Sequence, residues 1–280
     1  MKKRVAVLLC VCTVFILVGG AVCFFMFTYN GQEIFYDIFG GNDLHLASNN
    51  KELYWFYTRH RNDPNAPIFR RIENALLEFA PDLVLVEGGA DKFEGSRDEA
   101  IYNGEPSFTA YLAKENGITV EDIEPPFTRQ IEYLQSKYKP DDILAMYLIR
   151  QIFSELSMSD NSKWNFQYEI LKETQYFIEN GLNYKGETLE DILNTINAFL
   201  PEAVDSTTWK DVDSIKLYSV YASKSGILYP IYNAITNYRN VYLVELLKEK
   251  KITYDKIFIV MGGGHLDATR VQLTELYCNP

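Results

Sequence analysis

Four places in the sequence set a titratable side chain just after a short apolar run. His265 follows Ile257-Phe258-Ile259-Val260-Met261 and three glycines, Gly262, Gly263 and Gly264. Glu87 follows Leu83-Val84-Leu85-Val86 and precedes Gly88-Gly89. His60 comes after Leu53 to Tyr57 with Thr58-Arg59 between, and Glu124 closes the run Ile118 to Ile123. Apolar β-branched and aromatic runs of this length read as buried strands. Glycines at a strand end let the backbone approach a ligand closely, because no Cβ stands in the way.

Two histidines and a carboxylate hold a divalent metal with a position left open for water. The same groups serve equally as base and acid without a metal, with Arg239 holding an anion or a developing oxyanion. Arg239 lies four residues from both Ile235 and Leu243, on an apolar helical stripe, so its charge must be paired or snorkelling. Asn240 adjoins it and suggests a pair that faces a site. Glu105 precedes a short helix and Glu124 follows a strand, so both carboxylates are candidates for the same edge as binding groups, together with Asn240 and the glycines 262–264.

The elements that must position these groups alternate at both ends of the chain. Pro67 opens a helix with Ile68, Phe69, Ile72, Leu76 and Phe79 at a 3.6 period, and Pro81 stops it. Ser107 is expected to cap a helix that ends near Gly117. Gly40-Gly41-Asn42 reads as a turn in a linker or early hairpin, and after Gly264 a helix is expected with Leu266, Val271 and Leu273 as its apolar positions. Between about 129 and 232 the periodicity is helical, with a stripe Leu144, Leu148, Ile152, Leu156 and a Thr188–Asp191 capping box. This alternation predicts an α/β fold with a central, largely parallel sheet, flanking helices and a helical insertion. Strand carboxyl ends are where such sheets place their sites, so His60, Glu87, Glu124 and His265 are expected on one rim.

Val5 to Phe27 carries no charge for 23 residues and follows Lys2, Lys3 and Arg4. That run spans the roughly 30 Å hydrocarbon layer and lacks the small-x-small exit of a cleaved signal. Residues 1–30 therefore read as a single-pass anchor in the cell membrane, its N-terminus cytoplasmic and residues 31–280 an extracytoplasmic domain. The net charge is −11 over 280 residues, which argues against nucleic acid as a partner. Cys10, Cys12 and Cys23 lie in the apolar segment, leaving Cys278 alone outside it, so neither an intrachain disulfide nor a cysteine zinc site is expected there.

Pro81 to Gly89 (PDLVLVEGG), Tyr238-Arg239-Asn240 on a late helix and Phe258 to His265 (FIVMGGGH), in that order, resemble the TraB/Tiki family. That family sits in a wider group with the erythromycin esterases and the ChaN-like haem-binding lipoproteins. The resemblance covers roughly Leu53 to Leu273, without most of the helical middle. It implies two G-x-x-H motifs, a glutamate after an early strand and an arginine on a late helix. Gly262-Gly263-Gly264-His265 fits the second motif, while Tyr57-Thr58-Arg59-His60 departs from the first, with tyrosine where glycine is expected. By this resemblance Glu87, Arg239 and His265 are catalytic, and His60, Glu87 and His265 hold a divalent metal. The implied protein is a membrane-anchored, extracytoplasmic, metal-dependent hydrolase of a small-molecule or peptide substrate, a peptidase as the Tiki members are. The alternative is a non-catalytic peptide- or haem-binding protein of the same fold.

Overall fold

The computed structural model describes residues 43–58, 63–88, 95–157 and 164–278. The chain is α/β and divides into two compact units, one comprising residues up to Ile123 and from Leu246 onward, the other Glu124–Glu245. The second unit takes in the expected helical insertion.

A five-stranded sheet organises the first unit. Its strands are β1 (Leu44–Ser48), β2 (Lys51–Thr58), β3 (Leu83–Val86), β4 (Thr119–Asp122) and β5 (Lys256–Gly262), in the order β1-β2-β5-β3-β4. β2, β5, β3 and β4 run parallel, and β1 alone is antiparallel. β3 and β5 are central, buried on both faces, which is why their sequences are continuous apolar runs rather than alternating ones. β1 is an edge strand and does alternate: Leu44 and Leu46 are buried, whereas His45 and Ala47 are exposed. The β1–β2 hairpin turns through Asn49 and Asn50, both at positive φ (51° and 65°), the backbone a tight type I′ turn demands. The glycine turn expected at 40–42 lies outside the described residues.

Helices α1 (Pro67–Phe79), α2 (Arg97–Tyr102) and α3 (Glu105–Glu115) connect β2 to β3 and β3 to β4. The apolar faces of α1 and α3 pack with Phe56, Val84, Val86, Phe258 and Val260 on one side of the sheet. α1 begins at Pro67 and ends with Ala80 in the left-handed region just before Pro81, as its punctuation predicts. α3 starts two residues before Ser107, not after it. Gly104, at φ 93°, turns the chain, and Pro106 occupies a first-turn position where its missing N–H costs nothing. The sheet's other side carries helix α10 (Gly263–Cys278), which packs on β1 and β2 through Leu266, Leu273 and Tyr277. Val271, expected on its apolar face, is 68% exposed, and Thr269 takes the buried position instead.

The second unit contains α4 (Phe127–Gln135), α5 (Pro140–Ser157), α6 (Phe166–Glu179), α7 (Leu189–Asn197), α8 (Ser214–Tyr221) and α9 (Tyr229–Thr253) as far as Glu245. It has its own apolar core, with Ile131, Leu144, Ile149, Ile170, Ile196 and Leu217 among the buried residues. The Thr188–Asp191 capping box forms as expected, giving α7 reciprocal hydrogen bonds at its first turn. Among the described residues no helix is long and apolar enough to cross a membrane. The uncharged run 5–27 lies outside them.

Candidate functional site

The carboxyl ends of the parallel strands form a rim, and strand register sets the level of each residue on it. Thr58 pairs with Gly262, while Val86 pairs with both Val260 and Asp122. From β2 and β3 the chain turns into helices on one face of the sheet; from β5, which lies between them, it turns into α10 on the other. Neighbouring connections therefore part in opposite directions at the end of β5. That is the topological switch point at which open α/β sheets form a ligand crevice.

Glu87 is the first residue beyond β3. Its backbone N–H continues the ladder to the Val260 carbonyl (3.2 Å), and its carboxylate Oε2 accepts a hydrogen bond from the Gly262 N–H at 3.0 Å. Gly262 directly precedes α10, so the Glu87 carboxylate stands at the positive end of that helix and stabilises its first turn. His265 is the third residue of α10 and is half-buried. The structure thus joins Glu87, Gly262, Gly263, Gly264 and His265 at one rim. His60 lies outside the described residues.

The glycines have separate reasons. A Cβ on Gly263 would fall 1.9 Å from Cζ of Tyr57, whose ring occupies that space. The tyrosine that departs from the first G-x-x-H motif therefore sits on the second. Gly264 is exposed, with open space where a Cβ would go, so it leaves room beside His265. Gly88, at φ 68°, donates its N–H to Asp122 Oδ1 at 3.3 Å and ties the end of β3 to the end of β4.

Three rim residues were passed over in the sequence: Tyr57, Asp122 and Thr58. Thr58 is 2% exposed, and its hydroxyl has no hydrogen-bond partner among the described residues. Its place as the last residue of β2, two after buried Phe56, was the available signal. Glu105 is completely buried on the inner face of α3, one turn before Phe108 and Thr109, rather than at the surface. A carboxylate removed wholly from water is held only where its surroundings compensate it.

Arg239, Asn240 and Glu124 belong to the second unit. Arg239 Nη2 forms an ion pair with Glu124 Oε1, the two side chains 12% and 26% exposed, and Asn240 is buried beside it on α9. Arg239 on its apolar stripe is therefore paired. In the same unit Gln130 donates to the Tyr147 hydroxyl at 2.6 Å, and burial pushes the Tyr147 phenol well above its ordinary pKa.

For a metal, Glu87 and His265 offer a carboxylate and an imidazole, both suited to a divalent ion. Among the described residues no group of three His, Cys, Asp or Glu side chains can hold one. No family model, no curated protein and no solved structure matches the chain.

Proposed function

We propose that the chain is a membrane-anchored, extracytoplasmic hydrolase that cleaves a peptide or small-molecule bond at the rim formed by Glu87 and His265. One observation carries the reading: the Glu87 carboxylate, just past the end of β3, accepts from the Gly262 N–H at the end of adjacent β5, three residues before His265, at a switch point and beside an exposed glycine. In this reading His265 removes a proton from the attacking water and returns it to the leaving group. The open backbone at Gly264 admits the substrate, and the amino end of α10 favours negative charge developing there. Glu87 keeps that helix end, and with it His265, in place through Gly262. A divalent ion held by His60, Glu87 and His265 would polarise the scissile carbonyl and acidify bound water. The rim reading does not depend on Arg239, Glu124 or Asn240.

The second reading is a binding module. It is favoured by the use of Glu87 as a helix cap, a role that needs no chemistry. His265→Ala and Glu87→Gln separate the two, assayed on a library of internally quenched peptides with and without chelator. Hydrolysis lost in H265A while the melting temperature stays unchanged supports the hydrolase, and loss with chelator adds the metal. Peptide binding without turnover in the wild type would establish the binding module instead.

A further inference from the structure

The second unit contains a cavity of about 290 Å³ between α5 and α6, lined on α5 by Tyr147, Arg150, Gln151 and Ser154 and on α6 by Glu173 and Phe177. On α5 the polar lining residues fall at i, i+3, i+4 and i+7 with Leu148 beside them, and the α6 pair falls at i and i+4, so each helix turns a face to the space. Its volume is near the lower end of the ~300–1,000 Å³ typical of ligand sites.

The charges here differ from those in the larger cavity of the first unit, about 510 Å³, which lies against β1, β2 and α1. There the lining charges pair with each other: Asp43 with Arg71 at 3.2 Å and His45 with Glu52 at 2.9 Å. In the α5–α6 cavity Arg150 and Glu173 make no ion pair with each other, and neither has a hydrogen-bond or ion-pair partner among the described residues. Phe177 gives the space a buried apolar wall, and Tyr147 places a hydroxyl already anchored by Gln130.

We propose that this cavity binds a small zwitterion, a dipeptide with both ends free, its carboxylate on Arg150 and its ammonium on Glu173. A guanidinium matches a carboxylate with two parallel donors, and a half-buried carboxylate gains most from a charged donor. Glu173 is half-buried and Arg150 exposed, so a ligand without an ammonium would leave the Glu173 carboxylate uncompensated in a partly desolvated space, and one without a carboxylate would forgo the paired donors of Arg150. The electrostatics of Glu173 agree: burial raises its carboxyl pKa, Lys172 offsets this in part and Glu169 adds to it. No catalytic step is involved, and the inference does not rest on the hydrolase reading.

The test is calorimetric titration of the full chain in detergent with Ala-Ala, N-acetyl-Ala-Ala and Ala-Ala amide. The His265→Ala variant is titrated in parallel, so that a complex at the rim is not mistaken for one here. The expected result is Ala-Ala binding that survives in H265A and is weaker by about tenfold or more for each capped ligand. Glu173→Gln should remove the preference for a free amino end, and Arg150→Gln the preference for a free carboxylate. Absence of Ala-Ala binding, capped ligands that bind as tightly, or binding abolished by H265A would each overturn the proposal. Should either cavity variant fail to fold, the three-ligand comparison on the wild type and H265A decides alone.

Discussion

The two units handle polar side chains in opposite ways. In the sheet unit β3 and β5 are apolar along their buried length, and carboxylate, imidazole and glycines begin only where the strands stop. In the helical unit polar groups pair across elements: Arg239 on α9 with Glu124 in the segment before α4, and Gln130 on α4 with the Tyr147 hydroxyl on α5. The cause is geometric. A central parallel strand is covered on both faces, so a polar side chain along it would be buried without a partner. A helix covers only a stripe, so two neighbouring helices can each contribute one half of a polar pair. Along the sheet, polar groups are therefore concentrated at the strand ends, and the first unit's interior polar groups, Glu105 and Thr109, lie on helix α3 as the second unit's lie off any strand.

The largest expected effect tests how tightly the edge is built. Gly263→Ala puts a Cβ inside the Tyr57 ring, and overpacking of this kind costs about 1–3 kcal/mol. Gly264→Ala, one residue on with nothing nearby, is expected to stay within about 0.5 kcal/mol of the wild type. In a Tyr57→Ala background Gly263→Ala should lose most of its cost, because the clash partner is gone. Urea unfolding of the four proteins measures this. Equal costs at the two glycines would mean that the rim is loosely packed and the contrast between the units is overstated.

The second test is of the interior pair. Glu124→Gln leaves Arg239, 12% exposed, without its carboxylate, and the expected cost is about 1–2 kcal/mol, reduced from the fully buried case by partial exposure. The double replacement Arg239→Met with Glu124→Met should recover part of that loss, since neither charge then has to be desolvated. If E124Q is neutral, the pair contributes as little as a surface ion pair does, and the helical unit has no polar interior worth the name.

This division also decided what could be read before the structure. β3, β5 and α1 were legible because each announces itself locally, by an apolar run or by Pro67 and a 3.6 period. Glu87 and His265 were legible for the same reason, as the first titratable groups after such runs. The partnership of Arg239 and Glu124 was not, because 115 residues separate them and each shows only an anomaly in its own surroundings. The β1–β2 hairpin was missed because Asn49-Asn50 is a weaker turn sign than a pair ending in glycine. Glu105 could have been placed: Glu105, Phe108, Thr109 and Leu112 fall at i, i+3, i+4 and i+7, a buried stripe with a carboxylate at its head. Starting the helix at Ser107 cut the stripe short.

The smallest expected effect compares one aspartate from each unit. Burial raises the Asp43 carboxyl pKa above its ordinary 3.8, although the Tyr57 N–H, Arg71 and Tyr54 all oppose the shift. Asp205 is solvent-exposed, and hydrogen bonds from the hydroxyl and N–H of Thr207 and from Thr208 lower it to about 2. The signs of their contributions to folding are therefore opposite. The folded chain holds the Asp43 proton more tightly than the unfolded chain does, so this residue favours folding most below pH 3.8 and loses that contribution as pH rises through its folded value. Asp205 favours folding above pH 3.8 and loses its contribution as pH falls towards about 2. Denaturant unfolding from pH 3 to 7 should show the stability of the wild type relative to Asp43→Asn increasing as pH falls. Relative to Asp205→Asn the same difference should shrink on the same descent. If both differences change in one direction, burial does not control Asp43, and the paired charges of the β1–β2 cavity are better solvated than their packing implies.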